Sequence, residues 1–422
     1  MIHATAVIDL GFGDSGKGTT VEWLCHTRKP SFVIRFNGGS QAAHNVHLEC
    51  GYSHTFSQLG CGTFQGVPTY LTKYVGIDPL ALRMEANSLD NFIGNKVLDG
   101  LYIHKEAMVI TPYHRALNRY KESRRGKDRH GSCGVGHGEA VDMSIRMPEL
   151  TLTYGDLNNK KIIFSKFKAI KEHMLKEYSG IEEYDAFSLI HVVDIIDQYV
   201  SIYDETITVD DVMESSILAS PNNVWEGAQG LLLDENYGFH PNTTWSTTGS
   251  NNITSLYSYH GLFLGSYAEV ERVGVLRSHM TRHGVGAFVT EDEDCQQWVE
   301  DDDNGHNEWQ QTFRAGHLDM VMLRYSRQLC AVDTFVLTHF DKLESGGSVK
   351  ICHSYNGGYC PDIHPMPSLS KQEELTGMLM RATPDYTTIP VADLVDRIYN
   401  ELGGAQCIMV SVGKTLKNKI AM

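Results

Sequence analysis

The sequence lacks a long hydrophobic segment: none of its stretches approaches the roughly 18 uninterrupted apolar residues that indicate a membrane-spanning helix. Its N-terminus also lacks the features of a secretory signal and enters a strand-like segment instead. We therefore predict a cytoplasmic protein with no membrane partner.

Paired cysteines and excess positive charge are also missing. The nine cysteines contain no CxxC pair, and an odd number without regular spacing favours reduced thiols over a disulfide framework. Lys and Arg number 36 against 52 Asp and Glu, and the net charge of −16 argues against nucleic acid as the main partner. A small anionic ligand remains compatible with this charge, because a glycine loop and a few cationic side chains suffice to bind it.

The apolar content of 41% is that of an ordinary globular protein, and no repeat or low-complexity linker divides the 422 residues. We predict one α/β domain over residues 1–422, with a P-loop-like, mostly parallel central sheet flanked by helices. Elaborated loops and subdomains would surround it, with a helical insertion around 155–220. Strand-like segments, several ending in glycine or polar loops, lie at 6–10, 31–36, 224–234, 269–276, 334–338 and 407–412, and a helix is predicted at 318–329.

The first of these loops, GFGDSGKG at 11–18, has the composition of a phosphate-binding turn between a strand and a helix. It nearly fits the P-loop pattern, but Gly18 stands where a Ser or Thr hydroxyl would meet magnesium. Asp14 lies inside the loop. A carboxylate at that place suits a metal ligand or a general base.

Three further loops are rich in glycine or in neutral polar groups. The NGGSQAAH loop at 37–44 has two possible interpretations. It either places the histidine side chain against a ligand or forms a tight turn with the histidine at the surface. The glycine-rich loop at 131–138 is either a phosphate-binding site or a solvent-exposed loop. The uncharged segment at 242–252 either donates hydrogen bonds to a phosphate or sugar group or forms a cluster of turns. Taken from the residues alone, the pattern indicates a nucleotide-dependent enzyme.

In this order the loops resemble those of the adenylosuccinate synthetase family. The family segments GDEGKGK, GGHNAGH, EGAQG, STRVGAGPFPTE and RxGWLD correspond to GDSGKGT at 13–19, GGSQAAH at 38–44, EGAQG at 226–230, MTRHGVGAFVTE at 280–291 and RAGHLD at 314–319.

The resemblance implies a ligase that needs Mg²⁺ and a nucleoside triphosphate. Such an enzyme phosphorylates the 6-oxo group of a purine nucleotide and displaces it with the amino group of aspartate. The roles that it implies are catalysis by Asp14, His44 and Lys17; metal binding by Asp14 and Ala43; triphosphate binding by Gly13, Ser15, Gly16, Gly18, Thr19, His339, Asp341, Ser411 and Gly413; purine-nucleotide binding by Gln41, Ser132, Cys133, Arg146, Gln229 and Thr244; and amino-acid binding by Arg282 and Arg314. Arg146 would reach across a homodimer interface.

Departures from the family pattern leave the substrates open. The family TKLD and STGP segments are THFD at 338–341 and SVGK at 411–414, so the donor is GTP or ATP or dATP. Of the arginines in the family's amino-acid loop only Arg314 remains, with Arg282 and His283 as substitutes, so aspartate and another amino acid both stay possible.

The acceptor is likewise undecided between IMP and a guanine nucleotide such as dGMP. Viral 2-aminoadenylosuccinate synthetases act on dGMP, but they replace the loop aspartate with serine, whereas this chain keeps Asp14 and places Ser15 beside it. The alternative from another class is a purine-nucleotide sensor without turnover. An ordinary P-loop NTPase switch is disfavoured by Gly18.

Overall fold

The computed structural model describes residues 1–126, 132–188, 192–299, 312–343, 347–358 and 368–422. Its helices are α1 (Lys17–Arg28), α2 (Pro79–Ile93), α3 (Pro112–Arg125), α4 (His137–Arg146), α5 (Lys160–Glu177), α6 (Val192–Glu205), α7 (Asp211–Leu218), α8 (Asn251–Tyr259), α9 (Glu293–Trp298), α10 (Met320–Leu329), α11 (Leu369–Leu379) and α12 (Leu394–Glu401).

The strands are β1 (Ile2–Asp9), β2 (Val33–Arg35), β3 (His44–His47), β4 (Ser53–Phe56), β5 (Thr69–Leu71), β6 (Leu101–His104), β7 (Ile207–Val209), β8 (Asn223–Gly230), β9 (Ala268–Arg277), β10 (Met280–His283), β11 (Phe313–Gly316), β12 (Leu318–Asp319), β13 (Thr334–Thr338), β14 (Ser348–Tyr355), β15 (Pro384–Pro390), β16 (Gln406–Ser411) and β17 (Lys419–Ala421).

A central sheet of ten of these strands has the order β17-β16-β13-β9-β1-β8-β2-β5-β6-β7. Its neighbouring strands are parallel except for β17, which is antiparallel to β16. The predicted mostly parallel α/β sheet flanked by helices is therefore confirmed.

The first strand lies in the middle of this sheet, between β8 and β9. Its residues from Ala4 to Asp9 are all buried, as expected of a strand covered on both faces by helices. The carboxyl ends of β1, β8, β9 and β13 consequently meet at one edge of the sheet, where ligands bind in α/β proteins of this kind.

Most strand predictions agree with the structure, and two segments differ. The helix predicted at 318–329 begins at Met320, because the Asp319 side chain accepts the backbone N–H groups of Val321 and Met322 and so caps it. The strand predicted at 407–412 is β16, and it is followed by β17, whose three residues are too few to give a clear pattern.

The segment predicted as a helical insertion around 155–220 contains α5, α6 and α7. It also contains β7, which pairs with β6 at the edge of the central sheet. The segment therefore contributes a strand as well as covering helices. Among the described residues, no helix has the length and apolar character needed to cross a lipid bilayer.

The buried Glu22 on α1 predicts a pH dependence of stability. Its side chain is 0% exposed, and neither carboxylate oxygen has a hydrogen-bond partner among the described residues. Burial raises its pKa from 4.5 to about 7, against the attraction of Lys419. Because the folded pKa lies above the unfolded value, the folded state is favoured below this range and loses stability as the pH rises through it.

We therefore expect Glu22→Gln to raise the free energy of unfolding at pH 8 by about 1–3 kcal/mol, with little change at pH 4.5. Urea unfolding of both proteins at the two pH values measures this difference. Equal stabilities at pH 8 would contradict the argument.

Candidate active site

Asp9, the last residue of β1, organises the glycine loop that joins β1 to α1. Its Oδ1 accepts hydrogen bonds from the Gly11 amide and the Ser15 hydroxyl, both at 2.8 Å. Its Oδ2 accepts from the Ser15 amide at 3.1 Å and from the Lys17 ammonium group at 2.8 Å. Burial alone would raise the pKa of Asp9, but Lys17 and these hydrogen bonds hold it below the ordinary value.

The sequence analysis missed Asp9, although a carboxylate at the end of a buried strand, directly before a glycine loop, marks the position. Asp9 determines the orientation of two predicted site residues, Ser15 and Lys17. The Ser15 hydroxyl and the Lys17 ammonium group both turn inward onto Asp9, and Lys17 is only 3% exposed. Ser15 therefore does not present its side chain at the surface of the loop.

The Asp14 side chain, unlike those of Ser15 and Lys17, does not turn towards Asp9. Asp14 adopts a left-handed backbone conformation with φ of 57°, and its carbonyl oxygen accepts a hydrogen bond from Arg277 Nε at 2.6 Å. Its carboxylate is 29% exposed and lies 3.4 Å from His283 Nε2. Gly16 follows as the N-cap of α1, so the predicted residues Gly13, Gly16, Gly18 and Thr19 line the loop and the first turn of this helix.

The EGAQG segment, which forms the last five residues of β8, contacts both the first loop and the NGGSQAAH loop. A Cβ atom added to Gly230 would overlap the Gly11 carbonyl oxygen, so only glycine permits this close approach. On the other side, the Asn37 side chain exchanges two hydrogen bonds with the backbone of Ala228, at 2.8 and 3.0 Å. The structure thus brings together three loops that are far apart in the sequence.

Two predicted purine-binding residues carry polar groups that are buried and lack hydrogen-bond partners among the described residues. These are both polar atoms of the Gln41 side chain and Oε1 of Gln229. Gln229 has a φ of 62°, an uncommon conformation for a residue other than glycine. Buried amide groups are costly without partners, so this pair suits a polar ligand.

His44 is held by a buried carboxylate. Its Nδ1 lies 2.6 Å from Glu226 Oε1, and the same oxygen lies 3.7 Å from Arg35 Nη1. Burial opposes ionisation of Glu226, but Arg35, His44 and Cys61 hold its pKa at about 2. Burial lowers the pKa of His44 despite this hydrogen bond. Glu226 therefore fixes the orientation of the imidazole; the EGAQG motif was recognised in the sequence, but this role was not.

The ends of β13 and β16 lie side by side, as the parallel pairing of these strands requires. His339 follows β13 with a φ of 55°, and burial, assisted by Arg277, holds its pKa well below the ordinary value. At the end of β16, the Ser411 hydroxyl and, two residues later, the Gly413 carbonyl oxygen accept hydrogen bonds from Lys419 Nζ, at 2.9 and 2.6 Å. Lys419 was not predicted for this site, because it lies on the short strand β17.

Asp341 lies in the short helical turn that follows His339. Burial lowers the pKa of Lys419 to about 8, against the opposing charges of Glu22, Asp341 and Glu49. The loop at 338–341 also contacts the first loop directly: Thr338 Oγ1 donates a hydrogen bond to the Ser15 carbonyl oxygen at 2.7 Å. The predicted triphosphate residues of both loops are thus adjacent.

The two predicted amino-acid-binding arginines are directly paired across β10 and β11. Arg282 is 2% exposed, stacks on Phe12 at 4.2 Å and donates hydrogen bonds to the carbonyl oxygens of Ala287 and Asn242. Its Nε has no partner among the described residues. Burial and Arg314 lower the pKa of Arg282 to about 9.

Arg314 is bound by Glu291 through two hydrogen bonds and donates to two backbone carbonyl groups at 3.0 Å. Most of the hydrogen-bonding capacity of both guanidinium groups is therefore satisfied within the chain. The family loop segment at 309–311 lies outside the described residues.

The other predicted purine-nucleotide residues occupy separate places. Ser132 Oγ donates to Asn118 Oδ1 at 3.1 Å, and burial raises the pKa of Cys133 to about 11, with a contribution from the Asp14 charge. The Thr244 amide donates to the Leu233 carbonyl oxygen. Arg146 ends α4, has a 63% exposed side chain and pairs with Asp142 on the same helix. Gly131 lies outside the described residues.

The donors at the first loop fit Mg²⁺, which prefers carboxylate and carbonyl oxygens. Asp14 supplies a partly exposed carboxylate, and Ala43, directly before His44, is exposed and has a backbone carbonyl group to offer.

The sequence model of adenylosuccinate synthetase matches residues 6–414. The chain is similar to the adenylosuccinate synthetase of Clostridium novyi, with 31% identity over 372 residues covering 84% of this chain and 81% of that protein. The enzyme of Chlorobium chlorochromatii is 29% identical over 397 residues, which cover 92% and 86% of the two chains.

Two solved structures share the fold. The fully ligated adenylosuccinate synthetase of Plasmodium falciparum superimposes with a TM-score of 0.83 at 22% identity, covering 99% of both chains. The succinoaminodeoxyadenylate synthetase of cyanophage S-2L, bound to dGMP and to dATP as energy donor, gives 0.64 at 17% identity and covers 100% of this chain and 95% of the phage protein. With the family match over almost the whole chain, the loops gathered around Asp14 place this protein in the adenylosuccinate synthetase family, a family of C–N bond-forming purine nucleotide ligases.

Proposed function

We propose that this protein is an NTP- and Mg²⁺-dependent ligase that joins the amino group of aspartate to C6 of a 6-oxopurine nucleotide. The observation that carries the proposal is the set of buried amide atoms without partners among the described residues, which are both polar atoms of Gln41 and Oε1 of Gln229. The Gln229 backbone lies beside Gly13 of the loop that contains Asp14, and Gln41 belongs to the loop that ends at His44. A purine ring has the donors and acceptors that these amides lack. The names of the relatives support the same reaction.

In the first step the 6-oxo oxygen attacks the γ-phosphorus of the triphosphate, and the bond to the leaving diphosphate breaks. Asp14 takes the proton from N1 of the purine, so that negative charge develops on the attacking oxygen. His44 donates a hydrogen bond from Nε2 to the transferring phosphoryl group as the imidazolium ion, because its Nδ1 hydrogen is given to Glu226. The phosphate charge offsets the burial that lowers the pKa of His44 in the free protein. Lys17 and the loop amides stabilise the phosphate charge. The Lys17 ammonium group then contacts both the phosphate and the Asp9 carboxylate, to which it already donates a hydrogen bond.

In the second step the amino group of the amino acid attacks C6, and inorganic phosphate leaves. The Asp14 carboxylate and the Ala43 carbonyl group would hold Mg²⁺, which would supply neutralisation of the phosphate charge. Arg282 Nε is the remaining donor for an amino-acid carboxylate, and Arg314 supplies positive charge beside it. We propose aspartate, with the expectation of weak binding because both guanidinium groups are already engaged.

The proposed acceptor is a 6-oxopurine 5′-monophosphate, with IMP and dGMP as the two members to be distinguished. Ser15 turns away from the loop surface, which leaves Asp14 as the acidic group facing the base. The proposed donor pocket, formed by His339, Asp341, Ser411 and Gly413, contains a neutral imidazole where the family pattern has lysine. We therefore propose that it accepts ATP or dATP as well as GTP, with kcat/KM values within about tenfold of one another.

The test is incubation of the purified protein with Mg²⁺, one acceptor (IMP, GMP or dGMP), one donor (GTP, ATP or dATP) and aspartate, followed by mass analysis of the nucleotides. We expect a 6-succinylamino purine nucleotide together with one phosphate for each product. A product formed only with another amino acid would assign a different amine. Nucleotide binding without phosphate release for any amino acid would favour a purine-nucleotide sensor and overturn the ligase.

A homodimer is part of the proposal, because Arg146 is exposed at the end of α4 and available to a second chain. Light scattering of the purified protein, with Arg146→Ala as the variant, tests this assembly. An acceptor KM that Arg146→Ala leaves unchanged contradicts its role at the partner's site.

Gln229→Asn tests the purine contact. Asparagine keeps the amide and tolerates the left-handed backbone of this position, but its shorter side chain withdraws one hydrogen bond from the base. We expect the KM for the purine nucleotide to rise about tenfold, the value of one hydrogen bond, with a smaller change in kcat.

Asn222→Ala is the matched control, since Asn222 also has a positive φ, of 58°, but lies in the turn before β8. It should lower stability by about 1 kcal/mol and leave the KM unchanged. A KM that rises equally in both variants would mean that backbone strain, not the amide, causes the effect.

A further inference from the structure

A cluster of three potential metal ligands lies next to the paired arginines, and one of the three, His317, belongs to the segment that carries Arg314. It consists of Asp292 and Cys295 at the start of α9 and of His317, between β11 and β12. Cys295 is completely buried, and the side chains of His317 and Asp292 are 14% and 23% exposed. Nothing in the proposed reaction uses these groups.

Backbone contacts fix the two segments that carry this cluster. The His317 amide donates to the Thr290 carbonyl oxygen at 3.0 Å, and the Asp292 amide donates to the Ala315 carbonyl oxygen at 3.1 Å. Between them, a Cβ atom on Gly316 would overlap the Thr290 carbonyl oxygen, so glycine is required for this approach. The imidazole is thereby placed opposite the first turn of α9, where residues three apart, such as Asp292 and Cys295, share one face.

The two carboxylate oxygens of Asp292 have different contacts. Oδ1 caps α9 by accepting the amides of Asp294 and Cys295, at 2.9 and 3.3 Å. Oδ2 faces His317 Nε2 at 3.3 Å, with Lys350 Nζ further away at 3.8 Å. Both of these distances are longer than a typical N–H···O hydrogen bond.

The separations instead match the edges of a tetrahedral metal site. Zn²⁺ bonded to a thiolate at about 2.3 Å and to an imidazole nitrogen at about 2.1 Å separates the two ligand atoms by about 3.6 Å, and an oxygen–nitrogen pair by about 3.4 Å. Here Cys295 Sγ lies 3.7 Å from His317 Nε2 and 3.4 Å from Nδ1 of the same ring, and Nε2 lies 3.3 Å from Asp292 Oδ2. Nε2 is the nitrogen that faces both other ligands, so metal binding requires the imidazole to turn its Nε2 lone pair towards the ion. All three ligand atoms lie within 4.8 Å of one another.

We propose that Asp292, Cys295 and His317 bind a Zn²⁺ ion, with water as the fourth ligand. One thiolate, one carboxylate and one neutral imidazole balance the charge of the ion, and this mixed donor set suits zinc better than Mg²⁺ or Ca²⁺. The ion fastens α9 to the strand pair that carries Arg282 and Arg314. Glu291, the neighbour of Asp292, already binds Arg314, so the site is a structural support for this arginine pair.

The experiment uses the complete protein, freed of metal with a chelator and titrated with Co²⁺ as a coloured substitute for Zn²⁺. We expect one tightly bound Co²⁺ with a thiolate charge-transfer absorption band that Zn²⁺ displaces. Cys295→Ser should abolish the band, and His317→Gln should weaken binding at least tenfold. Zn²⁺ should raise the Tm of the wild type and not that of Cys295→Ser.

Cys330→Ser is the matched control, because Cys330 is also a buried cysteine, and its sulfur lies 3.6 Å from the Ser250 hydroxyl, outside this cluster. It should retain the band. A band that survives in Cys295→Ser would originate elsewhere, as at Cys61 beside His44 and Glu226, and would overturn the proposal. The absence of a thiolate band in the wild type would also overturn it, and His317→Gln gives the answer if Cys295→Ser does not fold.

Discussion

Asp14→Asn is expected to lower kcat about 10³-fold while the affinity for the purine nucleotide changes by no more than a few-fold. The substitution keeps the size of the side chain, and asparagine tolerates the left-handed backbone of this position. It removes the group that we propose as acceptor of the N1 proton, a contribution of about 10²–10⁴-fold for a positioned general base, together with a proposed metal ligand. Steady-state kinetics and equilibrium nucleotide binding measure the two quantities.

The matched control is Asp333→Asn, which neutralises a surface carboxylate that pairs with Arg272 far along the chain from the first loop. Its kcat should equal that of the wild type. If Asp14→Asn retains more than about a tenth of the wild-type kcat, Asp14 is not the base, and the proton must leave by another route.

Much of the sheet was predictable because its strands are covered on both faces and therefore read as apolar runs. The strand predicted at 334–338 has these bounds in the structure, and β1 extends the predicted 6–10 towards the N-terminus. The loops at the carboxyl ends of the strands carry the glycines and polar residues that the family resemblance used. Their proximity follows from the parallel arrangement of β1, β8 and β13 around the sheet centre.

The contacts inside the site were not predictable, because a sequence motif does not state which side chains face each other. Asp9 reads as the last residue of a buried strand, yet it turns Ser15 and Lys17 inward. Lys419 approaches Ser411 only because β17 folds back antiparallel to β16. Long-range pairing of this kind depends on the tertiary fold and leaves no local pattern.

The pair Arg282 and Arg314 also shows that the sequence identifies residues but does not give their contacts. The sequence identified Arg282 and Arg314 as the available cations of the amino-acid loop, and the structure pairs them across two strands. It also gives both guanidinium groups partners within the chain, which counting cations could not reveal. Affinity for the amino acid consequently depends on the hydrogen-bonding capacity that remains, and less on the number of arginines.

Glu226→Gln is expected to have the largest effect on stability, a loss of about 3–5 kcal/mol in the free energy of unfolding. The carboxylate neutralises the buried Arg35 and accepts hydrogen bonds from the Cys61 amide and from His44. Glutamine preserves the shape but leaves the guanidinium charge of Arg35 uncompensated in the core. Loss of the charged partner also releases the imidazole of His44, so kcat should fall as well; urea unfolding and kinetics measure the two effects.

Glu22→Gln provides the matched comparison, because it makes the same chemical change at another fully buried glutamate. Glu22 has no hydrogen-bond partner among the described residues, and its pKa is raised to about 7, whereas that of Glu226 is held at about 2. Removing the charge should therefore stabilise the protein at position 22 and destabilise it at position 226 at the same pH. If Glu226→Gln stabilises the protein at pH 8 as Glu22→Gln does, burial alone decides the outcome, and the ion pair with Arg35 and the contact with His44 contribute nothing.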